Sequence, residues 1–330
     1  MRALTFDPST DRWTLQSLPA PEAHGHDVLI RVEACGLNPV DAKIALWKGA
    51  VPGMDDRWVA GLDVSGEIAA VGEDVTGWTV GDRVLTHGNM FRPHGGLAEL
   101  TVQDARTLAP HPEGVDAATA AATPCAGWTA WRALHDRLRL TAGDTLLVAG
   151  GSGGVGGFAL QAARDAGLRT VIATTTARNA DYARSQGATH VIDYATEDVV
   201  GRVHEITGGA GVTRGLDTVG GANARLVADS LGFEGEMVEL VDLVDARPCA
   251  RAFDLGLGFH QLSLGSGHRN GDAGRRTLTR VGAAFNRALE DGRVTAPRLE
   301  VIELEAAADA LESMLDQRTV GKIVARLPWG

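Results

Sequence analysis

The sequence predicts an α/β protein that joins a doubly wound parallel sheet to a second domain rich in β structure. Three observations carry this prediction. Strands and helices alternate through the middle of the chain, a glycine loop follows the first of those strands, and short β-prone runs separated by Gly, Asp and Pro fill the first part. A chain of 330 residues is long enough for two globular domains.

The β-rich domain is predicted at both ends of the chain. The alternating runs "DVLIRVEA" (27–34) and "GEIAAVG" (66–72) are typical of half-buried strands. The β character returns at "RLEVIEL" (298–304) and "VGKIVARL" (320–327), on either side of a short helix. We therefore expect residues 1–123 and 292–330 to form this domain and residues 124–291 to form the other.

The middle of the chain predicts a six-stranded sheet. A helical rhythm begins near Pro124, where Trp128, Trp131, Leu134 and Leu138 recur at helical spacing. Strand–helix alternation follows, which is the pattern of a parallel sheet with helices on both faces. The six candidate strands are "TLLVAG" (145–150), "TVIATT" (170–175), "THVIDY" (189–194), "VTRGLDTV" (212–219), "GEMVELV" (235–241) and "FHQLSLGSG" (259–267).

The glycine loop "VAGGSGGVGG" (148–157) predicts a dinucleotide site. Gly151, Gly153 and Gly156 satisfy the GxGxxG pattern between a strand and a helix. The first glycine permits a tight turn, the second lets the backbone approach a pyrophosphate, and the third lets helix and strand pack closely. The alternative is a flexible glycine turn. We expect the cofactor to contact Gly151, Ser152, Gly153, Gly154, Val155 and Gly156.

The end of the second strand favours NADPH over NADH. An NAD site usually places an acid about 20 residues after the glycine loop to bind the ribose 2′-hydroxyl. No acid lies between Gly167 and Asp181. That stretch instead offers the hydroxyls of Thr174, Thr175 and Thr176 and the guanidinium of Arg178, which suit a 2′-phosphate. The alternative is that Arg178 is a surface residue without a ligand.

Charge and cysteine content exclude several classes. A net charge of −11 argues against nucleic acid or an anionic membrane as the main partner. The number of cysteines is odd, and no two of them form a CxxC motif, which argues against a disulfide framework. They are Cys35, Cys125 and Cys249. The N-terminus lacks a signal-peptide pattern and no apolar run approaches the ~18 residues of a membrane span, so we expect a cytoplasmic protein.

The turn "ACGLNPVD" (34–41) raises the question of a metal. Three cysteines are too few for a four-cysteine zinc site. Cys35, Cys125, His87 and His94 are possible ligands of a catalytic ion, but none shows a characteristic metal spacing. We therefore expect no functional metal.

A series of motifs resembles the medium-chain dehydrogenases/reductases, and within them the zinc-independent quinone oxidoreductases that include zeta-crystallin. The resemblance covers nearly the whole chain and implies a GroES-like catalytic domain, a Rossmann dinucleotide-binding domain, a cleft between them, NADPH as cofactor, and a homodimer or homotetramer. The motifs, in chain order, are "EACGLNPVDAKI", "GLDVSGEIAAVGEDVTGWTVGDRV", "TAWRAL", "AGGSGGVGGFALQAA", "GATHVIDY", "GLDTVGG" and "TVGKIV".

The resemblance also explains the turn. Zinc-dependent relatives carry a ligand cysteine where this chain has Asn38, and a His-Glu pair where it has Leu62 and Asp63, whereas Cys125 matches a third zinc position. Two of three zinc positions are therefore changed.

The same resemblance implies roles for individual residues. Asn38 and Asp41 are expected near the nicotinamide, and Lys43 stands where several quinone reductases have a tyrosine. Further cofactor contacts are expected from Thr129, Tyr194 and Val219. The alternatives for Asn38 and Asp41 are a turn residue before Pro39 and a helix cap.

Three functions remain open at this stage. The first is hydride transfer from NADPH to a quinone, for which solvent supplies the proton. The second is reduction of an enone or alkenal, in which Asn38 or a backbone N–H stabilises the enolate. The third is an NADPH-binding structural or regulatory protein with little turnover. Trp47, Trp58 and Phe91 are large aromatics suited to a flat acceptor, although for Trp58 we prefer a role in the core.

Overall fold

The computed structural model describes residues 1–243, 245, 249, 251–316 and 318–327. Its chain divides into two compact units, which we call the first and the second unit. The first comprises Met1–Trp128, Leu264–Glu290 and Arg298–Gly330, and the second comprises Thr129–Ser263 and Asp291–Pro297.

The first unit is built on two sheets. The smaller has the strand order Arg12–Ser17, Arg2–Asp7, Trp58–Val59. The larger has the order Leu299–Glu303, Lys322–Arg326, Asp27–Leu37, Asp63–Val71, Arg83–His87, Ala109–Pro110, with Leu100–Asp104 also paired to Asp27–Leu37.

The C-terminal strand is an integral part of the larger sheet. It pairs antiparallel with Asp27–Leu37, and the register sets Val324 opposite Gly36 and Ala325 opposite Cys35. Its consecutive apolar residues Ile323, Val324 and Ala325 are all buried, which is the pattern of a strand covered on both faces. As a result, residues from the two ends of the sequence share one core and one polar cluster.

The helical segments of the first unit are mostly short. The exception is Gly271–Glu290, which runs for 20 residues. The helices are Pro39–Ala42, Ile44–Trp47, Ala117–Ala121, the π-helical Pro124–Trp128, Gly271–Glu290 and Ala307–Met314, and the 3₁₀ turns are Lys48–Ala50, Ala105–Thr107, Gly265–Arg269 and Leu304–Ala306.

The long helix Gly271–Glu290 packs within the first unit, whereas the sequence boundary at 291 assigned it to the nucleotide-binding domain. Glycines on the helix itself and on the segment that it packs against explain this packing. A Cβ on Gly127 would lie 2.4 Å from the ring of Phe285, and one on Gly282 would lie 2.9 Å from Trp128. These close approaches fix the position of the helix. The hydrophobic periodicity of a single segment does not reveal them.

The second unit holds one six-stranded sheet, and every neighbouring pair of its strands is parallel, which confirms the predicted doubly wound α/β architecture. The strand predicted at 259–267 is shorter, because its second half enters a 3₁₀ turn of the first unit. The strand order is His190–Asp193, Thr170–Thr175, Thr145–Ala149, Val212–Asp217, Leu231–Glu239, Gly258–Gln261.

The helices of the second unit follow the strands as the sequence predicts. The four that connect the first five strands begin close to the strand ends. The helical segments are Thr129–Trp131, the π-helical Arg132–Arg137, Gly154–Asp165, the 3₁₀ turn Ala177–Asn179, Ala180–Gln186, Val199–Ile206, Ala222–Asp229 and Ala252–Leu255. Among the described residues, none of the helices of either unit combines the length and apolarity needed to cross a membrane.

Candidate functional site

The glycine loop of the second unit has the backbone geometry of a phosphate cradle. Gly150 has φ +82°, and the loop then enters the helix Gly154–Asp165, whose N-cap Gly153 has no side-chain cap. A Cβ on Gly156 would lie 2.2 Å from the carbonyl oxygen of Gly150, so only glycine lets helix and strand approach this closely. The first N–H groups of the helix therefore stay available to an anion.

Two of the predicted threonines support this loop. The Gly150 N–H donates to Thr174 Oγ1 at 3.3 Å, and Thr175 Oγ1 donates to Ser152 Oγ at 2.8 Å. Both threonines are buried. We therefore assign them to shaping the loop from the neighbouring strand.

The next residues present groups without partners. Thr176 Oγ1 is buried and has no hydrogen-bond partner among the described residues. Arg178 is exposed and makes no ion pair within the described part of the chain, and Tyr194 is 56% exposed. An orphaned hydroxyl beside a solvent-exposed guanidinium fits a phosphorylated ribose.

The other predicted cofactor contacts lie at the carboxyl ends of strands or at a helix start. Thr129 begins the segment Thr129–Trp131 and is buried. Val219 follows the strand Val212–Asp217, and its N–H donates to Asp217 Oδ1 at 2.8 Å. The turn that carries Val219 is therefore held by a buried carboxyl group.

A carboxyl pair beneath that turn was missed by the sequence analysis. Asp217 and Glu239 lie opposite each other on neighbouring strands, and both are fully buried. Glu239 Oε1 accepts the N–H groups of Val241 and Asp242. Burial first, and then the neighbouring carboxyl group of Asp217, raises the pKa of Glu239 to about 7. An acid inside the apolar run "GEMVELV" was the available signal.

In the first unit, Asn38 lies at the centre of a buried polar cluster. Its Nδ2 donates to Asp63 Oδ2 at 3.0 Å and to the Gly36 carbonyl at 3.3 Å, while its Oδ1 accepts from Lys322 Nζ. Both Nδ2 hydrogens and the carbonyl oxygen are thus engaged within the protein. Asn38 is 2% exposed and acts in this structure as a connector between charged groups.

Lys322 was not predicted from sequence. The side chain is 4% exposed, and Nζ also donates to the Leu37 carbonyl at 3.1 Å and lies 3.5 Å from Asp63 Oδ2. Asp63 Oδ1 in turn accepts the Cys125 N–H at 2.8 Å. A lysine in the apolar run "VGKIVARL" was the signal, because a buried cation requires a partner.

Asp41 is the second buried acid of this cluster. Its Oδ2 accepts the Asn38 N–H at 3.0 Å and its Oδ1 accepts the Gly61 N–H at 3.2 Å, which caps the helix Pro39–Ala42. Burial first, and then the charge of Asp63, raises the pKa of Asp41 to about 7, although Lys322 opposes this shift. Burial likewise raises the pKa of Asp63 to about 6.

A narrow pocket, which we call the aromatic pocket, borders Asp41. Trp47, Trp58, Met90 and Arg92 also line it. Trp47 Nε1 donates to the Val40 carbonyl, which fixes the indole ring. The neighbouring Lys43 makes no side-chain hydrogen bond with the described residues. The structure therefore brings Asn38 and Asp41 together and leaves Lys43 outside their hydrogen-bond network.

Among the described residues of the first unit, one group of side chains offers possible metal ligands. One ligand atom each from Asp63, His87 and Cys125 lies within 4.8 Å of the others. Burial raises the pKa of the Cys125 thiol far above its ordinary range and lowers the pKa of His87 to about 3. The carboxylate of Asp63 is already committed to the Cys125 N–H, Asn38 and Lys322. The ammonium group repels a second cation, so these residues do not fit a zinc ion.

Family models match both units. The model of the alcohol dehydrogenase GroES-like domain matches residues 24–113, and the model described as zinc-binding dehydrogenase matches residues 154–241.

Relatives include synthases and a reductase. Phthioceranic/hydroxyphthioceranic acid synthase of Mycobacterium tuberculosis is 32% identical over 303 residues, which cover 91% of this chain. The chain spans only 14% of the length of that protein. A chloroplast envelope quinone oxidoreductase homologue of Arabidopsis thaliana is 38% identical over 189 residues, which cover 55% of this chain and 56% of that protein.

Solved structures share the fold over the whole chain. Mycobacterial Rv1454c complexed with NADPH is 28% identical with a TM-score of 0.85, and the match covers 99% of this chain and 100% of that one. The quinone oxidoreductase of Pseudomonas syringae pv. tomato is 26% identical with a TM-score of 0.86, and covers 99% of each chain. An enoyl reductase, CurK, has a TM-score of 0.86 at 22% identity, covers 99% of this chain and 98% of that one, and shares the fold.

Proposed function

Because the chain belongs to the medium-chain dehydrogenase/reductase superfamily, we propose that it transfers hydride from NADPH to a quinone without a metal ion. One observation carries the metal-free part of this proposal. Lys322 places a protein cation against Asn38, which stands where the resemblance puts a ligand cysteine, and against Asp63, the second residue at the position of the His-Glu pair. The positive charge that a zinc ion would bring to this cluster comes here from an ammonium group.

The second unit supports NADPH as the cofactor. The glycine loop and the free end of the helix Gly154–Asp165 suit the pyrophosphate. Thr176 and Arg178 suit the 2′-phosphate, and no carboxylate stands between Gly167 and Asp181 to repel it. Mycobacterial Rv1454c, which shares this fold, binds NADPH in its crystal structure.

The chemistry asked of the protein is modest. Bound NADPH supplies the hydride, and a quinone that accepts one hydride and one proton becomes a hydroquinone. The backbone N–H groups of the glycine loop hold the negative charge of the pyrophosphate, and the half-buried ring of Trp47, beside the aromatic pocket, orients a flat acceptor. Because solvent supplies the proton to a quinone, the site needs no strongly acidic side chain.

Reduction of an enone is the second candidate, and Asp41 favours it. Hydride delivery to the β-carbon leaves an enolate that needs one proton, and Asp41 borders the aromatic pocket as a buried acid with a pKa of about 7. A group with a pKa near the working pH suits general acid catalysis. An NADPH-binding protein with little turnover is the alternative from another class.

The test measures NADPH oxidation by the whole chain against a panel of quinones and a panel of enones. We expect turnover of quinones. Turnover of enones alone would replace the first candidate with the second. Tight binding of NADPH without turnover of either panel would support the binding protein and contradict both reductase functions.

Replacing Arg178 tests the choice of cofactor. Arg178→Glu puts a carboxylate beside the expected 2′-phosphate, so we expect the ratio of kcat/KM for NADPH to that for NADH to fall by at least about tenfold, as for loss of a charge-assisted hydrogen bond. Arg169→Glu is the matched control, because Arg169 is exposed in the same unit and precedes the strand Thr170–Thr175 at its other end. An unchanged ratio in Arg178→Glu would contradict the assignment.

A further inference from the structure

A second cavity of the first unit lies beside the aromatic pocket and has a different character. Its volume is about 250 Å³, and every residue that lines it is polar or charged. Three arginines and two aspartates dominate the lining: Arg92, Arg106, Arg275, Asp27 and Asp104. We call it the arginine cavity.

Each arginine of the arginine cavity is paired with an aspartate. Asp27 accepts both terminal nitrogens of Arg92, at 2.9 and 2.6 Å. Asp104 accepts Arg106 through two bonds and Arg275 Nε at 2.9 Å. Asp272 adds a third carboxylate, which accepts Arg275 Nη1 at 3.1 Å, so three guanidinium groups face three carboxylates.

Hydrogen-bond donors remain for a ligand. A guanidinium has five N–H groups on three nitrogens. Among the described residues, Asp104 and Asp272 engage Nε and Nη1 of Arg275 and leave its Nη2 available. Asp104 engages Nε and Nη2 of Arg106 and leaves its Nη1 available. The aspartates thus hold the arginines in place without exhausting their donors.

The arginine cavity and the aromatic pocket share a wall. Asn89 and Arg92 line both of them. Phe91 lies between Asn89 and Arg92 in the sequence. The guanidinium of Arg269 is 4.7 Å from the centroid of its ring and is a further cation in this region. The aromatic pocket itself has a volume of only about 10 Å³, so an acceptor lies against its opening and can extend an arm past Asn89 into the arginine cavity.

We propose that the arginine cavity is a subsite for an oxyanion, and that the natural acceptor carries a carboxylate or a phosphate on an arm beyond its reducible group. The proposal rests on the reductase function above and narrows its substrate class. Guanidinium groups bind both anions through charge-assisted hydrogen bonds.

The first test compares acceptors that differ only in one anionic arm. The set consists of a neutral naphthoquinone, its carboxylate derivative and its phosphate derivative, assayed with saturating NADPH. We expect KM to be at least about tenfold lower for an anionic member than for the neutral one, in line with one charge-assisted hydrogen bond. The anionic member with the lower KM shows whether the subsite takes a carboxylate or a phosphate. Equal KM values across the set would overturn the proposal.

Substitution of Arg275 locates the effect. Arg275→Gln should raise KM for the anionic acceptor about tenfold and leave kcat/KM for the neutral acceptor within about twofold, while Arg275→Lys should restore part of the loss. Arg57→Gln is the control, because Arg57 is exposed in the same unit and its ion-pair partner within the described part of the chain is Asp55. Equal losses for neutral and anionic acceptors would assign Arg275 a structural role and contradict the subsite.

A binding measurement keeps the subsite testable if no acceptor is turned over. Thermal unfolding is followed with saturating NADPH, which fills the dinucleotide site, in inorganic phosphate and in chloride at equal ionic strength. We expect phosphate to raise the Tm of the native chain and of Arg57→Gln but not of Arg275→Gln, with Arg106→Gln as a second variant. No rise in the native chain would overturn the subsite, whereas a rise without turnover would contradict only the reductase function.

Discussion

At the scale of single residues, the main feature is a lysine that joins two ends of the chain. Lys322 donates to Asn38 and lies beside Asp63. Asp41 is a second buried carboxyl group of the same cluster, so one ammonium group is shared by two acids. One cation cannot neutralise two carboxylates, so the second acid retains its proton near neutral pH. Lys322 is thus a positioning residue, and Asp41 is the group that holds a proton.

Removal of this lysine should destabilise the fold. Lys322→Met leaves Asp63 buried without its cation, and breaking a buried pair in this way costs about 3–5 kcal/mol. Chemical denaturation at pH 8, where the carboxyl groups ionise most readily, measures the free energy of unfolding. Lys43→Met, which removes a lysine outside the hydrogen-bond network, serves as the control. Equal stabilities of the two variants would contradict the role given to Lys322.

The second residue-scale prediction concerns Asp41 and pH. A proton donor is active in its protonated form, so the kcat for an enone should fall as pH rises through about 7, the pKa of Asp41. Asp41→Asn should lower that kcat by about 100-fold or more and remove this limb of the profile. Asp56→Asn, an exposed acid of the same unit, is the control. A native limb that persists in Asp41→Asn would exclude Asp41 as the donor.

At the scale of elements, the sequence predicts where each strand and helix lies along the chain better than it predicts which elements pack together. The six strands of the second unit follow from strand–helix alternation because each connection repeats the same local pattern. The packing of Gly271–Glu290 does not, since it depends on Phe285 meeting a distant glycine, Gly127. The same reason hides Lys322, whose partners lie more than 250 positions away. Asn38 and Asp41 were found because their turn carries a recognisable motif.

The carboxyl pair under the Val219 turn makes the second unit sensitive to pH. Glu239 has its pKa raised from 4.5 to about 7 in the folded chain, so the folded chain holds a proton there that the unfolded chain has released. The stability from this proton is full below about 4.5 and is lost as pH rises through about 7.

Glu239→Gln tests this pair. The amide keeps a donor toward Asp217 at every pH, so the variant should be more stable than the native chain at pH 8, by about 1–3 kcal/mol, and nearly equal at pH 5. Urea unfolding at the two pH values makes the comparison. Glu236→Gln, on the same strand and half-buried, is the control. An identical pH slope for Glu239→Gln and the native chain would contradict the shared proton.

At the scale of the molecule, the two units divide the work. The second carries the features expected of an NADPH site, and the first carries the aromatic pocket, the buried cluster around Lys322 and the arginine cavity. The sequence predicts the NADPH site well, because the residues of the glycine loop are consecutive in the chain. The arginine cavity escaped it, because its lining comes from residues 27, 89–106 and 268–275, which only the folded sheet brings together.

The central claim is hydride transfer to an acceptor without a metal ion, and the most direct measurement joins metal analysis to turnover. The chain is dialysed against a strong chelator, its zinc content is measured, and NADPH oxidation by a quinone is followed before and after. We expect full activity with far less than one zinc ion per chain, and no gain on adding zinc. Activity that disappears with the metal and returns with one equivalent of zinc would contradict it.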